Sequence, residues 1–122
     1  MMETTNIDLI DDLSLAEQDA FTMSRAALLL DQGRGDKKVL AQALDHNVQI
    51  WSAIRAVAVR SGGHFPRPVK ENLTRLADYV TGTTFAGGVE LSTDALDSLI
   101  NINLQICEGL LEGQRRAQDA TH

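Results

Sequence analysis

The stretch Leu96-Asp97-Ser98-Leu99-Ile100-Asn101-Ile102-Asn103-Leu104-Gln105-Ile106-Cys107-Glu108-Gly109-Leu110-Leu111 decides the fold class. Strand alternation does not describe it, because apolar residues recur at three- and four-residue steps. On a helical wheel Leu96, Leu99, Ile100, Ile106, Cys107, Leu110 and Leu111 cluster, with Ile102 and Leu104 on the flanks. Asp97, Asn101, Gln105, Glu108 and Glu112 form the narrow polar side. The apolar arc spans roughly 200° at the 100° step of a 3.6-residue turn, wider than the stripe of a simple surface helix. Two readings follow: the helix is central to a bundle, or part of it meets a partner. Ser92 or Thr93 supplies its N-cap.

Working outward, three more segments carry the helical period. Ser14 with Glu17 forms a capping-box pattern, followed by Ala16, Ala20, Met23, Ala27 and Leu30 on one face. Gly33-Arg34-Gly35 ends that helix, since glycine tolerates the left-handed geometry of a helix stop. Asp36 caps a second helix running to about Ser61, with Leu40, Leu44, Trp51, Ile54 and Ala58 on one face and Ile50 and Val57 widening it. Gly62-Gly63 closes it. Pro66 and Pro68 open a third helix whose stripe is Val69, Leu73, Leu76 and Val80. The glycine-containing segment 82–91 reads as a flexible connection, with Phe85 and Val89 as candidates to pin it to the body. The expected architecture is all-α, a small bundle of four helices. Residues 1–13 form an acidic N-terminal arm with one docked turn at Ile7, Leu9 and Ile10, residues 14–116 the helical domain, and residues 117–122 a C-terminal tail.

Composition bounds the function. At 122 residues the chain is the size of one domain, and 43% hydrophobic against 23% charged residues is a globular mixture. A formal charge of −6 makes it a poor default binder of phosphate backbones, so no direct nucleic-acid contact is expected. Charge is segregated, however: residues 32–80 hold eight bases and four acids, whereas the flanking segments are both acidic. Arg55, Arg60, Arg67, Lys70 and Arg75 are therefore either solvated and internally paired or a local site for an anionic partner. No apolar run approaches the ~18 residues of a membrane span. The opening Met1-Met2-Glu3-Thr4-Thr5 carries neither the basic nor the apolar region of a secretory signal, so a cytoplasmic protein without membrane insertion is expected.

Catalytic chemistry has no foothold. His46, His64 and His122 are far apart, and the single Cys107 sits in the apolar arc as a small buried hydrophobe. No spacing offers metal ligands, and Gly33-Arg34-Gly35-Asp36 lacks the later glycine and Lys of a phosphate-binding loop. The chain is thus expected to be no enzyme, with no catalytic, metal or cofactor-binding residues. Two amides interrupt apolar faces: Asn103 at the centre of the fourth helix's arc, and Asn47 one turn before Trp51. Each either hydrogen-bonds within the fold and fixes helix register or recognises a partner. Trp51 is likewise core or interface anchor.

Three blocks then carry a family resemblance. Ala43-Leu44-Asp45-His46-Asn47-Val48-Gln49-Ile50-Trp51 resembles the Asn-x-x-x-Trp signature of the FlaF family of flagellar-biosynthesis regulators. Val69-Lys70-Glu71-Asn72-Leu73 with Leu76-Ala77-Asp78-Tyr79-Val80 is similar to a second block, and Leu99 to Leu110 to the family's Leu-Ile-x-Ile-Asn-x-x-Ile-x-x-Gly-Leu block. The acidic, alanine-rich start from Ser14 to Leu30 also fits, whereas the longer arm and the segment 82–91 depart from the pattern. The resemblance implies a cytoplasmic role in flagellar assembly as a flagellin-binding export chaperone acting alongside FlbT, a regulator of flagellin messenger translation. The candidate partner-binding residues are Trp51, Ile54, Ile102, Asn103, Ile106 and Leu110, an apolar channel shared by the second and fourth helices. The rival readings are post-transcriptional regulation of flagellin mRNA through FlbT, and a helical adaptor without a client. Against the first, only Trp51, Phe65 and Tyr79 are available for stacking RNA bases in the basic middle.

Overall fold

The computed structural model describes residues 18–60 and 66–120. Among these, four α-helices and one 3-10 turn, with no strand, make an all-α bundle. Helix α1 covers 18–32, α2 Lys37–Arg60, α3 Arg67–Gly87 and α4 Thr93–Ala120, with the 3-10 turn Gly88–Glu90 between the last two. The arm 1–13, the cap at Ser14 and the stop at Gly62-Gly63 lie outside the described residues.

The helix ends form where local chemistry satisfies their backbone groups. Asp36 Oδ1 accepts the amides of Lys38 and Val39 at 3.1 and 3.3 Å, which caps α2. Ser92 Oγ accepts the amide of Ala95 at 3.1 Å, so Ser92 rather than Thr93 is the N-cap of α4. At the α1–α2 turn, Gly35 takes a φ of +80°. Gly33 is required for a different reason: a Cβ there would lie 2.7 Å from Leu40 Cα, so the missing side chain lets α2 fold back tightly on α1.

Successive helices alternate in direction. The start of α1, the end of α2, the start of α3 and residues 105–110 of α4 meet at one end. At the other end Arg34 bonds Asp97 across the α1–α2 turn to the start of α4, and Lys37 pairs with Glu90. Two carboxylates, Asp31 first and Asp97 second, raise the affinity of the Arg34 guanidinium for its proton. The core between these ends is built from Met23 and Leu30 of α1, Leu40, Ala43, Leu44 and Trp51 of α2, Ala77 and Val80 of α3, and Leu96 and Leu99 of α4. All but Ala43 and Ala77 lie on the stripes read from the sequence, because burial of one face is what stabilises each helix in water.

The segment 82–91 corrects its reading as a flexible connection. Helix α3 continues through Gly82 to Gly87, and only the short turn Gly88–Glu90 separates it from α4. The inward face persists past Val80: Thr84 lies one turn on, is buried, and satisfies its hydroxyl by donating to the Val80 carbonyl at 2.7 Å. Packing of that extra turn outweighs the ~1 kcal/mol that a helical glycine costs. Val89 packs against the core as expected, but Phe85 is 76% exposed and pins nothing. Leu111 also departs from its place in the apolar cluster and is exposed, since α4 has passed the end of the bundle there. At 28 residues, α4 is about 42 Å long at 1.5 Å per residue.

The two glycine environments generate opposite expectations. Open space surrounds the Cβ position of Gly82 in mid-helix, so Gly82→Ala is expected to raise unfolding free energy by roughly 0.5–1 kcal/mol. Gly33→Ala is expected to lower it by roughly 1–3 kcal/mol through overpacking. Urea denaturation of the two variants beside wild type measures both signs.

Candidate functional site

Two features meet on the facing sides of α2 and α4: a buried polar file and, one turn further along, an apolar groove. The file begins at Trp51, whose Nε1–H donates to Asn103 Oδ1 at 2.9 Å. Asn103 Nδ2 in turn donates to Asn47 Oδ1 at 2.7 Å. All three side chains are completely buried, at 0% exposure. An indole can only donate, and that fact orients the whole file. Asn103 must present its oxygen to Trp51 and its amino group to Asn47, which leaves Asn47 Nδ2 as the terminal donor with no protein partner. The two amides therefore fix the register of α2 against α4 from inside.

This burial settles how two of the expected partner-binding residues are placed. Trp51 and Asn103 have no surface and cannot touch a partner in this conformation; the hydrogen bond between them holds both in the core. Ile102 is half-buried against the core. Ile54, Ile106 and Leu110, by contrast, come together in the wall of an open groove.

The groove encloses about 710 Å³ at the end of the bundle where α1 starts and α2 ends. Helix α2 contributes Ile50, Ala53, Ile54 and Val57, and α4 contributes Ile106, Gly109 and Leu110. Val69 and Leu73 of α3 form a third wall. Met23, Thr22 and Asp19 of α1 complete it, and Asp19, Thr22 and Gln105 are its polar side chains. Sequence reasoning missed the α1 and α3 walls. Val69 and Leu73 were legible as a helix stripe, but nothing in the stripe says which part of it faces a neighbour and which part a cleft. Val57 and Val69 remain 49% and 42% exposed, so the groove is an apolar surface open to water. Gly109 helps keep it open, since open space surrounds the position where its Cβ would lie.

The rim is electrically two-sided. Arg60 closes α2, while Arg67 and Lys70 open α3. The first turn of α3 contains no acid, and its N-cap Pro66 makes no side-chain cap. Arg67 pairs with Glu71 at 3.0 Å, so Arg60, Lys70 and the positive end of the α3 dipole carry the excess positive charge at that lip. Asp19 of α1 lines the groove and Glu108 adjoins its wall residue Gly109 in sequence, whereas Glu112 is paired with Arg115 and Arg116. Among the described residues no group of three or more His, Cys, Asp or Glu side chains could hold a metal. No described helix is long and apolar enough to cross a membrane. The arrangement is suited to holding an amphipathic segment by its apolar side.

The polar file makes a quantitative expectation. Asn47→Ala and Asn103→Ala are each expected to destabilise by on the order of 1–3 kcal/mol, because each leaves a buried group unpaired. The double variant should cost less than the sum of the two, by roughly 0.5–3 kcal/mol. Strict additivity in a chemical-denaturation cycle would show that the two amides act independently.

In comparison with known proteins, the family model described as Flagellar protein FlaF matches residues 11–110. No curated protein and no solved structure gives a significant match.

Proposed function

Because the chain belongs to the FlaF family of flagellar proteins, we propose that its groove holds an amphipathic helical segment of flagellin, making it a cytoplasmic export chaperone rather than an enzyme. The observation that carries this reading is the four-walled apolar groove, which leaves Val57 and Val69 in water and surrounds them with Ile54, Leu73, Ile106 and Leu110. A cleft of this kind matches an amphipathic helix through side chains at i, i+3 or i+4 and i+7, which line up along one helix face. Covering such a segment would hold back premature polymerisation until export. The positive α2–α3 lip and the acidic α1–α4 lip would orient the bound helix and speed encounter more than they add affinity.

The rigid file beneath the groove supports the same reading. Ile54 lies one turn beyond Trp51, and Ile106 lies one turn beyond Asn103 in sequence. A hydrogen bond between Trp51 and Asn103 thus fixes how the two groove walls stand relative to each other. A pre-set cleft spends less of its binding energy on ordering itself.

The test uses positions that the fold itself does not need. Val57→Glu and Val69→Glu place a carboxylate in the groove from half-exposed sites. Each is expected to weaken binding of a flagellin terminal segment by about tenfold or more, equivalent to ~1.4 kcal/mol, with a melting temperature within a few degrees of wild type. Calorimetric titration and thermal melts read the two quantities separately. Unchanged affinity in both variants would place the client elsewhere, and a stable protein with no affinity for flagellin would end the reading.

A further inference from the structure

We propose that the groove has a resident occupant within the chain itself: the segment Ile7–Leu13 folds back into it and is displaced when a client helix binds. This rests on the groove being a helix-binding cleft, the reading given above, but not on the client being flagellin.

Three observations converge. The first is pattern. In Ile7-Asp8-Leu9-Ile10-Asp11-Asp12-Leu13, a 100° helical step puts Ile7, Leu9, Ile10 and Leu13 in one arc and Asp8, Asp11 and Asp12 in the opposite one. The separation is complete, and it makes a short amphipathic segment of the kind an apolar groove selects.

The second is reach. Asp19 and Thr22, in the first turns of α1, already line the groove. Only residues 14–18 stand between Leu13 and Asp19, and five extended residues span up to about 17 Å. The segment is therefore tethered at the mouth of the cleft, where its effective concentration is high without any second molecule.

The third is charge. An occupant leaving α1 starts beside Asp19 and runs toward Arg60, Lys70 and the uncapped start of α3. Asp8, Asp11 and Asp12 would then meet the positive lip while the isoleucines and leucines face Ile54, Ile106 and Leu110. The reverse orientation would set them against Asp19 and Glu108, so electrostatics favours one direction of lay. Residues 7–10 precede the part of the chain that matches the family, 11–110.

Methyl NMR on the full-length protein tests this. The expected result is nuclear Overhauser contacts from Ile7 and Ile10 methyls to those of Ile54, Ile106 and Leu110, unchanged on dilution. Ile10→Asp, or Ile7→Asp as a second variant, should abolish the contacts and shift the groove methyls. The core methyls of Leu40 and Leu99 should stay in place and so report an intact fold. For a segment docked nine-tenths of the time, Ile10→Asp should also tighten binding of the flagellin segment about tenfold. Absence of the contacts, with groove methyls unmoved in both variants, overturns the proposal. Contacts seen only between differently labelled copies also overturn it, and make the occupant a second molecule's segment. If the groove methyls respond to Ile10→Asp but not to added flagellin segment, the resident stands and the flagellin reading falls. Response to flagellin alone gives the converse.

Discussion

The hydrogen bond from the Trp51 indole to the Asn103 amide is the constraint on which the rest of the bundle depends. It spans 52 residues of sequence and closes at 2.9 Å between side chains that are both fully buried. Apolar side chains between α2 and α4 would tolerate sliding by a turn with modest loss, since dispersion and burial are non-directional. A buried amide facing an indole does not, because either group left unpaired costs much more than an average hydrogen bond contributes. The Asn103–Asn47 bond adds a second fixed point on α2, one helical turn from the first. Two such points on one helix set both its height and its rotation against α4.

Much of this was legible before any coordinates. Asp36 and the glycine stop at 33–35 marked element ends by local chemistry, and the stripes of α1, α2 and α4 contained most of the core, whereas of the α3 stripe only Val80 is fully buried. The two asparagines stood out because they interrupt otherwise apolar faces. What the chain could not disclose locally was that Asn47 and Asn103 meet each other and Trp51, since pairing across 56 residues is a property of the assembled bundle. For the same reason Trp51 passed as a candidate contact residue: an aromatic on an apolar face looks alike whether its face is capped or open. The continuation of α3 through Gly82 was hidden by glycine itself, whose helix penalty is intrinsic while the compensating burial of Thr84 is tertiary.

The groove extends this logic from register to recognition. It forms where the four stripes diverge at the end of the bundle, and α4 is the only described helix that continues well beyond it. The width of the apolar arc on α4 therefore had both explanations at once. Toward its start, Leu96 and Leu99 are buried core. Further along, Ile106 and Leu110 pack against that core on one side and line the cleft on the other. One helix thus carries the fold with its first half and the candidate recognition surface with its second, in a single uninterrupted amphipathic run.

Trp51 is the sole tryptophan of the chain, and its complete burial beside an amide gives the molecule a native optical gauge. An indole held dry and hydrogen-bonded emits at shorter wavelength than one in water, so its colour reports whether α2 and α4 are still together. Because Ile54 follows one turn later on the same helix, strain introduced at the cleft reaches the chromophore through a single turn of backbone. The state of the groove is therefore written into the intrinsic emission of the unlabelled protein, at the point where the two helices are tied.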